Sequence, residues 1–319
     1  MKATKIVNPA LVIVLLLLAA ASSSAYVLLS PARTWDCPPT YIVDDGGIAS
    51  ISDGDGGATL VAGALQAAAA WNGAGSATIL YAEVGDVSGF SLGDGIPMLA
   101  FTDPLSACTG TCLAATFTGY YSQRAAGSGS YKIDDADIVT NVGGHSWTSL
   151  GEDPGGVGCS SEFYVEGVMV HELGHALGLG HTNVAGATMY PSVSYCNNTP
   201  ASTEADDEAA IVALYGSAPC VGCDTYTQYL ATGQTDYQPC GTYYSSGAGT
   251  HNGYLRGPAG TDFDLYLWRW DGSAWVQVAS ATSASTNENI SYAGTAGYYL
   301  WGVYSYSGSG TYHFYLDRP

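Results

Sequence analysis

Residues 171–181 read HELGHALGLGH, and no other stretch constrains the fold of this chain so tightly. His171 and His175 are four apart, so on an α-helix they share one face and can hold a single metal ion. Glu172 lies beside the first of them, placed to act on a water molecule without binding the ion itself. Gly178 follows Leu177 where a helix needs a residue that tolerates left-handed backbone in order to stop. A stop there lets the chain reverse and bring His181 round as a third ligand. Three protein ligands leave a fourth position open, which is the arrangement of a catalytic rather than a structural zinc.

The short pattern H-E-x-x-H turns up by chance in unrelated helices. Here the extended pattern H-E-x-x-H-x-x-G-x-x-H is complete, in a chain with six histidines. The residues therefore predict one catalytic zinc, held by His171, His175 and His181, with Glu172 as the proton acceptor.

The beginning of the chain reads as an export signal over residues 1–25. Lys2 and Lys5 precede an apolar run over residues 10–21, and Ser23-Ser24-Ala25 offers small residues for cleavage. That run is shorter than the ~20 residues a membrane span requires, and no cysteine stands at the cleavage point to carry a lipid. Loss of the two lysines with the signal takes the formal charge from −20 to −22, which disfavours nucleic acid as a partner. The acidic surface fits an extracellular protein, and it allows calcium as a second cofactor, with no site assigned. Eight cysteines in an exported chain point to disulfides. Cys108 and Cys112 read as a local staple, and Cys159 and Cys196 bracket the histidine motif. Cys220 and Cys223 pair either with each other or with Cys37 and Cys240. A zinc finger at Cys220 and Cys223 lacks its second ligand pair.

Length allows about two domains after signal removal. In the first, over residues 26–216, strands are expected at 40–43, 78–84, 98–102, 113–120 and 133–140. Helices are expected at 58–71, 162–177 and 203–215, the last capped by Ser202 or Thr203. This is an α+β domain with a cleft across its middle. A linker at 217–225 leads to residues 226–319, which are rich in Tyr, Gly, Ser and Thr and hold no good helix. Strands at 263–270 and 275–279 join through Asp271-Gly272, and strands at 298–306 and 311–316 form a second pair. This part is an all-β sandwich, whose alternating aromatics belong more to core packing than to a binding face.

The histidine motif followed by Ala187-Thr188-Met189-Tyr190-Pro191 resembles the metzincin metallopeptidases, whose signature is that motif and a methionine turn. Thr182 after the third histidine, the interval to Met189, the Met-Tyr-Pro turn and the run from Asp206-Asp207 to Leu214-Tyr215-Gly216 are similar to matrixins. Astacins carry a tyrosine ligand where Pro191 stands, and do not fit. Ala136-Asp137-Ile138 is similar to a matrixin sheet strand, and the resemblance spans residues 33–216. It implies a twisted mixed sheet with a zinc helix and a closing helix, and a secreted endopeptidase acting on proteins or peptides. It also implies Met189 as an apolar floor beneath the metal, and Tyr190 and Pro191 at the start of the loop that shapes the specificity pocket. The interval between signal and domain leaves no room for an inhibitory propeptide, and only His145 is at hand for the family's structural zinc, so one zinc is expected. The run Gly260-Thr-Asp-Phe-Asp-Leu-Tyr-Leu267 looks like the bacterial pre-peptidase C-terminal domain found beside secreted proteases. The alternative from another class is a non-catalytic extracellular adhesion protein acting through the C-terminal sandwich. An intact Glu172 argues against it, because zinc binding alone does not need that residue.

Overall fold

A computed structural model describes residues 25–44, 58–85, 89–121, 131–153 and 158–319. The expected export signal, apart from Ala25, lies outside the described residues. The first part of the chain is built on a six-stranded sheet. Arg33–Thr34, Tyr131–Thr140, Met98–Ala100, Thr40–Asp44 and Tyr81–Gly85 pair in parallel in that order. Ala114–Tyr121 runs antiparallel against Tyr131–Thr140 and has no strand on its other edge among the described residues.

Parallel strands must be covered by helices, and their apolar runs show it: Val43, Leu99 and Ile138 are buried. Helices α1 (Ala58–Gly73) and α2 (Val165–Ala176) pack against each other, and both meet the sheet. Their close approach uses Gly63, where a Cβ would strike Val165 and Glu166. Trp71 of α1 is fully buried and donates its indole N–H to the Val170 carbonyl at 2.7 Å, tying the helices by a polar bond inside the core. Helix α3 (Ala205–Tyr215) closes the domain.

Three local expectations change. The strand expected over 78–84 divides into Ala77–Thr78 and Tyr81–Gly85, because the Asn72 carboxamide oxygen accepts the Ile79 and Leu80 N–H groups that a continuous ladder would use. Helix α2 starts at Val165 rather than 162, since Phe163–Tyr164 pairs in parallel with Trp147–Thr148. Helix α3 starts at Ala205 and is capped by Glu204, not by Ser202 or Thr203. Glu204 and Asp207 exchange side-chain to backbone bonds in a reciprocal capping box.

The second part is a sandwich of two sheets. One runs Asn287–Gly294, Gly249–Arg256, Gly310–Asp317, Cys223–Leu230 and then Ala77–Thr78, a strand contributed by the first part of the chain. The other runs Thr235–Gln238, Gly297–Ser307, Asp262–Trp270 and Trp275–Ala281, with Tyr244–Ser246 also on Gly297–Ser307. Between the sheets lie Phe263, Leu265, Leu267, Trp301, Val303, Tyr312 and Phe314. The aromatics thus divide, because Tyr237, Tyr243, Tyr298 and Tyr306 are exposed.

Cys223 already belongs to a sandwich strand, so the connecting segment is shorter than the expected 217–225. The cysteines pair as Cys108–Cys112, Cys159–Cys196, Cys220–Cys223 and Cys37–Cys240. The first two are the pairs expected, and the last joins the two parts of the chain. Tyr315 donates its hydroxyl to the Tyr215 carbonyl at 3.1 Å, a further bond across the same junction.

Candidate metal centre

Helix α2 ends at Ala176 because Gly178 turns the chain, with φ of +108°. A Cβ at Gly178 would also collide with the Arg33 carbonyl, so both conformation and space call for glycine. The indole of Trp35 donates to Ala176 O at 2.9 Å and the Tyr215 hydroxyl donates to Leu177 O at 2.8 Å, which satisfies the helix's last carbonyls. The chain then returns through Leu179–Gly180 and delivers His181 to the exposed face of α2.

The three imidazoles converge. His181 Nε2 lies 3.1 Å from His171 Nε2 and 3.1 Å from His175 Nε2. Among the described residues this is the group of three or more potential metal ligands that meets at one point. The other ring nitrogens of His171 and His175 are already committed. His171 Nδ1 donates to Thr188 O at 2.7 Å, and His175 Nδ1 donates to Leu179 O at 2.8 Å. Those bonds place the protons on Nδ1 and leave lone pairs on Nε2. Converging lone pairs repel unless a cation lies between them. Tetrahedral imidazoles at a Zn–N distance of about 2.0–2.1 Å have nitrogens about 3.3 Å apart, so the donor set fits zinc. Burial, reinforced by the neighbouring rings, lowers the pKa of His171 and of His175 to about 4, and burial lowers His181 as well. The rings are therefore neutral at ordinary pH, as ligands must be.

Glu172 is buried beside the triad. Burial raises its carboxyl pKa, opposed by the nearby His175 and by a hydrogen bond from Thr116. Met189 is buried with its sulfur against Gly174 of α2, where any Cβ would overlap it, so it lies under the histidine-bearing turn. Tyr190 and Pro191 follow on the exposed side. Tyr195, further along that loop, lies over Phe163 with ring centroids 4.5 Å apart.

Two contributors escaped the sequence reading. Asp207 of α3 accepts from Thr188 N at 2.8 Å and Met189 N at 3.1 Å, and so fixes the turn whose Thr188 carbonyl orients His171. Its signal was present as the Asp206-Asp207 pair, but only as a family feature without a task. Thr116 donates to Glu172 Oε2 at 2.6 Å from the outer strand of the sheet, and no spacing in the sequence announces that contact. His145, by contrast, lies apart from the triad, 3.0 Å from the Cys112 carbonyl and edge-on to Phe163.

Comparison with known proteins agrees with this geometry. The matrixin family model matches residues 108–216. Metalloendoproteinase 1-MMP of Arabidopsis thaliana is 42% identical over 71 residues, 22% of this chain and 19% of that protein. Neutrophil collagenase of Homo sapiens is 33% identical over 102 residues, 32% of this chain and 20% of that protein. The chain thus spans about a fifth of the length of these curated relatives. Among solved structures, the pre-peptidase C-terminal domain of a Bacillus anthracis collagenase is similar, with 20% identity and a TM-score of 0.25, over 29% of this chain and 87% of that one. Helix α2, the methionine turn and closing helix α3 all fall inside the matched segment, and residues 108–216 are matrixin-like, of the metzincin type.

Proposed function

We propose that this chain is an exported zinc endopeptidase. The observation that carries the reading is the convergence of three Nε2 atoms, with the protons of His171 and His175 held on Nδ1, beside a buried carboxylate on the helix that bears those two. His171, His175 and His181 would hold the ion. When bound, zinc supplies Lewis acidity and brings the pKa of water toward neutrality. Glu172 accepts the proton of the attacking water and returns it to the leaving amine. Met189 floors the site, while Tyr190 and Pro191 open the loop that borders the substrate. The peptide lies extended, along the strand edge that Ala114–Tyr121 leaves unpaired. No helix among the described residues is long and apolar enough to cross a membrane. Four disulfides support an oxidising location outside the cell. For calcium we propose no residues.

The sandwich supports a contact role beside catalysis. On one sheet's outer face Trp268 lies across Gly302, where a Cβ would strike the indole, with Tyr266 stacked at 5.5 Å and Tyr237 edge-on at 6.2 Å. Tyr243 adjoins Trp275 and Tyr298 nearby. Rings presented in this way suit a polymer or surface. In the rival reading that contact is the whole function. Casein hydrolysis by the secreted protein, with and without a zinc chelator, separates the two. Hydrolysis abolished by the chelator and restored by zinc supports the peptidase, and a protein inert toward casein and small peptides while holding one zinc refutes it.

A further inference from the structure

The outer strand Ala114–Tyr121 turns three alternate side chains to one face, and each has a partner. Thr118 accepts from the Arg33 guanidinium at 2.9 Å, and the same guanidinium lies 4.1 Å over the Tyr120 ring. Thr116 reaches helix α2, donating to Glu172 Oε2 at 2.6 Å, with the Glu172 carbonyl 3.1 Å away. The register is fixed by pairing Thr116 with Ile138, and a slip of one residue would present Ala115 or Phe117 instead. The hydroxyl has one proton. The shorter contact, to a charged acceptor, takes it, because a charge-assisted bond is roughly twice as strong as one between neutral groups.

A carboxylate has two oxygens and a freely turning terminal torsion. To take up a proton from water on the histidine side, Glu172 must keep one oxygen turned there. We infer that Thr116 is a positioning residue for the reaction: it holds Oε2 and so leaves proton transfer to Oε1. The inference rests on Glu172 acting as the base. A structural part alone would ask only for a β-branched side chain that fits the strand, and valine has that shape without the hydroxyl.

The test compares Thr116→Val, Thr116→Ser, Glu172→Gln and the Thr116→Val/Glu172→Gln double variant. All four are followed by kcat and KM on a short peptide, by zinc content and by thermal unfolding. Thr116→Val is expected to lower kcat by about 10- to 100-fold, the scale of a misplaced catalytic group. KM, zinc stoichiometry and the melting temperature should stay near wild type, and Thr116→Ser should recover most of kcat. In the Glu172→Gln background the valine substitution should cost nothing further. Crystal structures of the zinc-free proteins should show one Glu172 carboxylate orientation in the wild type and more than one in Thr116→Val. If Glu172→Gln is inactive while Thr116→Val keeps wild-type kcat, the positioning role is overturned and the base stands. If Glu172→Gln keeps full turnover, the base assignment falls and Thr116 falls with it. If Thr116→Val loses zinc or melts early and Thr116→Ser does not recover kcat, the residue is structural and the inference is refuted.

Discussion

Histidine occurs in both halves of the molecule, and the two settings use opposite ring nitrogens. In the metal centre, His171 and His175 donate from Nδ1 to backbone carbonyls, which leaves bare Nε2 atoms facing His181. In the sandwich, Trp301 donates to the Tyr244 hydroxyl, which in turn lies 2.8 Å from His251 Nδ1. The Tyr244 proton therefore goes to Nδ1, and the His251 proton sits on Nε2, which has no hydrogen-bond partner. The Tyr299 ring, 3.9 Å from the His251 ring, shuts that nitrogen in. The two settings thus differ both in what the remote nitrogen does and in burial, His251 being fully buried and the triad half-buried or exposed.

The contrast can be broken by substitution. Glu172→Ala should keep zinc and fold while lowering turnover by roughly 10²–10⁴. His181→Ala should release the metal, because two ligands from one helix do not close its shell. By the same logic His251→Phe should change neither zinc content nor turnover. Metal analysis and peptide kinetics on the three variants suffice, and a His251→Phe protein that had lost its zinc would undo the distinction.

Asp207→Ala should act at one remove. Freed of its two bonds, the Thr188–Met189 turn no longer holds the carbonyl that orients His171, and zinc affinity should fall by about 10- to 100-fold. Chelator competition measures this, and an unchanged affinity would show that the turn holds itself.

The smallest effect concerns pH. Burial lowers the pKa of His251 in the folded state. A depressed histidine contributes fully to stability above its unfolded value of about 6.5, and that contribution is lost as the pH falls below it. Between pH 7.5 and 5, the zinc-loaded wild type should therefore lose more melting temperature than His251→Phe. Parallel curves would remove His251 from the titration.

The sequence revealed the site unevenly, for physical reasons. The three histidines and Glu172 lie within one helix and the turn after it, where spacing in sequence is spacing in space. The helices at 58–71 and 203–215 were legible to within two residues, because burial imposes a period on apolar positions. Asp207 and Thr116 were not, since each acts across a tertiary contact that no local pattern encodes. The break at Ile79–Leu80 was hidden because it depends on a side chain, Asn72, competing for backbone bonds. The aromatics of the sandwich alternate in sequence, but only strand pairing divides Trp301, inside, from Tyr298, outside.

Cys37 lies ahead of the whole metal-binding apparatus and Cys240 lies beyond the connecting segment, 203 residues away. Val221, between the two halves, is 92% exposed, the kind of site at which a folded chain is nicked by proteases. A nick there would not shed the sandwich. It would yield a two-chain molecule still joined through Cys220–Cys223, which spans the nick, and through Cys37–Cys240, and still paired from Ala77–Thr78 to Cys223–Asp224. Such a product would migrate as one species on a non-reducing gel and as two after reduction, and it would keep the histidine triad and the sandwich in one molecule.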